Sequence, residues 1–172
     1  GRPPGEMTMA DGATLVLGWG NPSRGDDGLG PAFADGVAAL ALPAVEAESP
    51  YQLEVEYAAE VARYGRVLFV DADRAGPAPF RVERLAPAAV APSFSSHSVA
   101  PGAVLALARD LFGARPEAWL VGIRGYEFDE FREELSAQAR ANLEAALGYA
   151  RTALATGRFE EPAAGLPARS TP

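Results

Sequence analysis

The sequence predicts one α/β domain, a mostly parallel, twisted sheet of about five strands with helices on both faces. Three observations carry that expectation. Short apolar runs at Thr14-Leu15-Val16-Leu17 and Val67-Leu68-Phe69-Val70 read as buried strands. Segments with helical periodicity alternate with such runs, and that alternation builds a parallel sheet joined by right-handed crossovers. The length of 172 residues suits a single domain with its own core and needs no disulfide or structural metal to hold it.

The elements follow in order. Residues 13 to 18 form a first strand, and Gly28 to Leu40 a helix that tolerates Pro31 only because it falls in the first turn. Ala44 to Glu48 is a short second strand. Leu53 to Tyr64 is expected to be a helix, with Leu53, Tyr57, Val61 and Tyr64 on one face. Arg66 to Asp71 is the clearest central strand. Phe80 to Leu85 alternates apolar and charged residues, as an edge strand does. After the Pro87 to Pro92 loop, Val99 to Phe112 reads as a helix stopped by Gly113, and Ala118 to Ile123 as the last strand. Ser136 caps a long helix running to about Ala155. The domain is expected to span 13 to 156, with 1 to 12 and 157 to 172 as flexible termini. The opening Gly1-Arg2-Pro3-Pro4-Gly5-Glu6 lacks the apolar core of a signal peptide and is set aside from the fold.

Composition narrows the functions. A net charge of −8 repels a phosphate backbone, so nucleic acid is not expected as a partner. No apolar stretch reaches the roughly 18 residues that a membrane helix requires, and no membrane insertion is expected. Cysteine is absent, which removes thiol nucleophiles and thiolate metal sites and makes the cytoplasm the default compartment. All 15 cations are arginine, so neither Schiff-base chemistry nor a lysine-bearing phosphate loop is available.

Chemistry concentrates in three places. Gly18-Trp19-Gly20-Asn21-Pro22-Ser23-Arg24-Gly25-Asp26-Asp27-Gly28-Leu29-Gly30 follows the first strand, Asp71-Ala72-Asp73 follows the central one, and Ser96-His97 holds the only histidine. In an open α/β sheet the carboxyl ends of parallel strands face a common crevice, so Asp27, Asp71 and His97 can converge on one metal ion as two carboxylates and an imidazole. Each residue also has a plainer reading. Asp26 and Asp27 suit helix capping, Asp71 a strand-end turn, and His97 a loop contact or cap. The glycine-rich stretch places Ser23 where a dinucleotide fingerprint needs its third glycine, and its two aspartates oppose a pyrophosphate. The serines around His97 lack the Gly-x-Ser-x-Gly elbow of a hydrolase. Glu127, Asp129, Glu130, Glu133 and Glu134 read as a solvated acidic face.

Leu17 to Gly30, together with Val70-Asp71-Ala72, Ser96-His97 and Val121-Gly122-Ile123, resembles the hydrogenase maturation endopeptidase family in block order and spacing from about Thr14 to Ala150. That resemblance implies a nickel-dependent protease. Its substrate would be the nickel-loaded precursor of a nickel-iron hydrogenase large subunit, from which it removes a C-terminal extension. The family's metal-binding positions match Asp27, Asp71 and His97, with aspartate at 27 where some members carry glutamate. Zinc or cadmium is expected as a surrogate for nickel. Asp26 is a weaker candidate, for proton handling. Gln52-Leu53-Glu54-Val55-Glu56 resembles a further family segment whose role, and that of Glu56, stays open. The competing reading is a nickel-binding carrier or maturation module without hydrolytic activity.

Overall fold

A computed structural model describes residues 12–88, 99–129 and 131–160. Five strands form one sheet in the order β2-β1-β3-β5-β4, with β1 at Thr14–Gly18, β2 at Val45–Glu48, β3 at Arg66–Asp73, β4 at Phe80–Leu85 and β5 at Glu117–Arg124. All neighbours run parallel except β4, which pairs antiparallel with β5 as the alternating edge strand. Among the described residues four α-helices cover the sheet: α1 at Leu29–Leu40, α2 at Tyr57–Val61, α3 at Pro101–Phe112 and α4 at Ala137–Thr156. This is the expected α/β architecture. Among the described residues no helix is long and apolar enough to cross a membrane.

Strand periodicity sorts the core into two layers. Val16, Leu68, Val70, Val121 and Ile123 point to one face and pack with Leu29, Phe33 and Val37 of α1 and with the alanine-rich stripe of α4. Leu15, Leu17, Val67 and Phe69 point to the other face, against Val61 of α2 and Val104, Leu105 and Ala108 of α3. Continuous burial of β1 follows from cover on both sides.

Three boundaries differ from the sequence reading. The helix expected over Leu53 to Tyr64 shrinks to Tyr57–Val61, flanked by turns. Leu53, Val61 and Tyr64 are nevertheless buried, so the apolar face was correct although the regular hydrogen bonding extends over little more than a turn. Pro101 occupies the first turn of α3, where its missing amide costs nothing, and the helix therefore starts two residues later than expected. Packing also continues past Thr156: the Phe159 ring is 6% exposed, stacks on Trp119 at 6.0 Å, and has the Arg66 guanidinium 5.0 Å from its centroid.

The glycines of the first loop bring backbone against backbone. A Cβ on Gly18 would lie 2.1 Å from the Gly30 carbonyl oxygen, and one on Gly30 would lie 2.2 Å from that of Trp19. The end of β1 and the start of α1 touch directly. Gly20 has φ +146°, and a side chain there would strike the Asp27 carbonyl.

Candidate active site

In the order β2-β1-β3, the two strands that follow β1 in the chain lie on opposite sides of it, and a doubly wound sheet opens its ligand crevice at such a switch, beyond the strand carboxyl ends. Asp27 follows β1 in a 3-10 turn over Gly25–Gly28, and Asp71 lies near the end of β3. Both line one cleft of about 420 Å³, together with Asp73, Arg74, Arg81 and Phe128. The structure thus brings together two of the three expected ligands. His97 lies outside the described residues, as do Ser95, Ser96 and Ser98.

Neither aspartate of the pair caps α1, whose N-terminus has no side-chain cap. Asp27 instead accepts a hydrogen bond from the Asn21 amide at 2.7 Å through Oδ2, which ties it to the glycine-rich loop. Asp26 is fully buried and is not among the residues lining the cleft. Its Oδ2 accepts from the Tyr126 amide at 2.7 Å, the Glu127 amide at 2.9 Å and the Ser136 hydroxyl at 2.8 Å, while Oδ1 accepts from the Ser136 amide at 2.7 Å. Burial alone pushes this carboxyl up, but the four hydrogen bonds outweigh it and hold the group below the ordinary carboxylate value. A carboxylate so enclosed is a brace, and the geometry gives no support to the proton-handling role expected for it. Ser136 also caps α4 by accepting from the Ala139 amide at 3.2 Å, as expected.

Asp71 has the opposite electrostatics. Burial chiefly pushes its carboxyl up to about 6; the Ala72 backbone hydrogen bond opposes it, the charges of Asp27 and Asp73 add to it by lesser amounts, and Arg81 opposes it least. Asp73 takes three donors: the Ala75 amide at 3.1 Å and the Gly76 amide at 2.8 Å on Oδ1, and Arg81 Nε at 2.8 Å on Oδ2. Although burial raises the Asp73 carboxyl, the Arg81 bond and the two amides bring it below its usual value.

Gly122 accounts for the open floor. It sits between Asp71 of β3 and Arg81 of β4 in register, and a Cβ there would meet both Arg81 Nε and Asp73 Oδ2 at 3.1 Å. The missing side chain lets the Arg81–Asp73 pair reach over β5. Sequence reasoning quoted Asp73 with the strand end Asp71-Ala72-Asp73 but gave it no role of its own, and it passed over Arg74, Arg81 and Phe128 as site residues. Period-two spacing from Asp71 could have found Asp73, but the antiparallel register that brings Arg81 across could not be read locally. Glu56 is exposed and makes no side-chain cap at the start of α2, while Glu54 accepts from Gln52 Nε2 at 3.3 Å.

Two carboxylates in one cleft, with Asp71 raised chiefly by burial and in part by the Asp27 charge, fit the donor chemistry of a divalent cation whose charge would relieve that repulsion. Among the described residues no group of three His, Cys, Asp or Glu side chains is arranged to hold a metal.

Fold and cleft together define a doubly wound α/β domain with paired aspartates at the switch point. Solved structures of hydrogenase maturation proteases share this fold. The NiFe hydrogenase maturation protease HycI of Thermococcus kodakarensis superposes with a TM-score of 0.65 at 22% identity, over 83% of this chain and 92% of that one. The hydrogenase 2 maturation peptidase of a Thaumarchaeota archaeon gives 0.62 at 25% identity, over 83% and 98%. The maturating endopeptidase HybD of Escherichia coli gives 0.63 at 21% identity, over 87% and 96%. No family model and no curated protein matches the chain.

Proposed function

We propose that the chain is a hydrogenase maturation endopeptidase, which removes a C-terminal extension from the nickel-loaded precursor of a nickel-iron hydrogenase large subunit in the cytoplasm. The observation that carries this reading is the convergence of Asp27 and Asp71 in one cleft at the switch point of this fold. The fold shared with proteases of that name adds to it.

In this reading Asp27, Asp71 and His97 hold the nickel that the precursor brings, and the nickel belongs to the substrate. Bound there, such an ion supplies Lewis acidity to a carbonyl or acidity to a water. The protein's own contribution is positional. The Asn21 amide fixes Asp27, and the Asp26 brace fixes the turn that carries it. Asp71, protonated to about pH 6, yields its proton when a cation arrives beside it. A site built from an incomplete set of protein donors responds to a filled precursor and ignores an empty one, because the productive geometry needs ligands from both partners.

A carrier that binds nickel without hydrolysis is the competing reading, and the two separate on the precursor's mass. Incubation of nickel-loaded precursor with the chain shortens the precursor at its C-terminus if the chain is a protease. Nickel transferred with the precursor left at full length would establish the carrier instead.

A further inference from the structure

The cleft has a second, cationic wall that the metal reading leaves unused. Arg74 lies at its mouth with its guanidinium carbon 3.9 Å from the centroid of the Phe128 ring. Among the described residues no carboxylate pairs with Arg74. Arg81, the other arginine of the cleft, is already bound to Asp73 and Glu83.

Both halves of the Arg74–Phe128 pair are held from behind. The turn carrying Arg74 is pinned by Asp73, which accepts from the Ala75 and Gly76 amides, and by Arg124, whose Nη1 donates to the Gly76 carbonyl at 2.8 Å. Phe128 belongs to the segment whose Tyr126 and Glu127 amides are bound by Asp26, and its ring lies over Gly125, where a Cβ would approach Cζ to 2.9 Å. A guanidinium laid on a ring loses rotational freedom while its N–H edges stay available, and the planar fork of donors matches a carboxylate. Among the described residues, every other unpaired charge on the cleft wall is negative, from Asp27 and Asp71.

We propose that Arg74, seated on Phe128, is a carboxylate-binding subsite that orients the substrate peptide in the cleft. It rests on the protease reading and adds the chemistry of what the cleft accepts: a peptide with an anionic group, from an acidic side chain or a free C-terminus. That group binds at Arg74 because Asp27 and Asp71 repel it elsewhere. Arg74 is thus a specificity and positioning residue.

The test uses the full-length, metal-free chain and three alanine-rich, N-acetylated hexapeptides. One carries a central glutamate and a C-terminal amide, one a central glutamine and a free C-terminus, and one glutamine with an amide. Nuclear magnetic resonance follows the Arg74 Nε–H signal during titration. At least one anionic peptide is expected to shift it saturably and to bind about tenfold more tightly than the neutral one, the range of a partly exposed charge-assisted bond; which one does so identifies the source of the carboxylate. Arg74→Gln should abolish that preference, and Arg74→Lys and Phe128→Leu should retain only part of it. Equal binding of all three peptides, no binding of any, or a preference that survives Arg74→Gln would overturn the subsite. Cleavage does not enter this readout. A chain that shows the preference yet leaves loaded precursor intact keeps the subsite and loses the protease reading.

Discussion

The side chain of Asp26 and both the amide and hydroxyl of Ser136 meet across 110 residues of sequence, with contacts of 2.7 and 2.8 Å inside the protein. This clamp ties the turn after β1 to the N-cap of α4, and Asp27 is carried on the same turn into the cleft. Adjacent aspartates therefore divide the work: one is spent on structure and the other is left to face the cleft.

Asp26→Asn is expected to destabilise the fold by about 3 kcal/mol at pH 7, because an amide nitrogen or a single carbonyl oxygen cannot accept from four donors. The carboxyl of Asp26 is held below its ordinary value, so its contribution is present above the unfolded value of 3.8 and fades as pH falls through the folded one. Urea unfolding of wild type and variant at pH 7 and at about pH 3 checks this, with the difference shrinking at the lower pH. An unchanged midpoint at pH 7 would return Asp26 to the list of reactive groups.

Asp71→Asn should act in the opposite direction. The folded state holds the Asp71 proton to about 6 while the unfolded chain releases it near 3.8, so stability falls as pH rises across that window. That difference corresponds to at most about 3 kcal/mol. The metal-free variant is expected to be more stable than wild type at pH 7.5 and equal to it at pH 3.5. Processing activity should be lost throughout, a trade between stability and function at one side chain.

Asp27→Ala removes the acceptor of a single amide, from Asn21, and should cost only about 1 kcal/mol. The variant stays folded by circular dichroism and fails to process precursor. Loss of folding with activity intact per folded molecule would instead assign Asp27 to the loop alone.

Metal binding is expected to weaken as pH falls below about 6.5, since Asp71 and an imidazole each take up a proton near there. Calorimetry with nickel, and with cadmium or zinc, in buffers of different ionisation enthalpy should show protons released on binding at pH 6. Unchanged affinity in His97→Ala would remove His97 from the site.

Gly30→Ala is the severe structural variant. Its methyl group would stand 2.2 Å from the Trp19 carbonyl oxygen and 2.8 Å from the Trp19 nitrogen, so β1 and α1 would have to part. Destabilisation above about 4 kcal/mol is expected, well beyond a surface glycine such as Gly148, whose added Cβ would meet nothing within 4 Å.

The sheet was legible because local pattern and tertiary burial agree in it. The apolar runs of β1 and β3 are continuous where both faces are covered, and β4 alternates where it forms the edge. The helix over 53–64 was over-read, since an apolar period of 3.6 records which residues are buried and not how many amides bond in sequence. At the site, Asp27 and Asp71 could be anticipated from strand ends, whereas the different duty of Asp26 could not. That duty depends on Ser136 and Tyr126, about a hundred residues away, and no local pattern encodes such a contact. The Arg74–Phe128 pair was hidden for the same reason.

The most direct measurement is the intact mass of a hydrogenase large-subunit precursor after incubation with the purified chain, run in parallel on nickel-loaded and nickel-free precursor. The expected result is loss of the C-terminal extension from the loaded precursor alone, with none from Asp27→Ala or Asp71→Ala reactions. Both precursors remaining at full length, or both being shortened equally, would contradict the account.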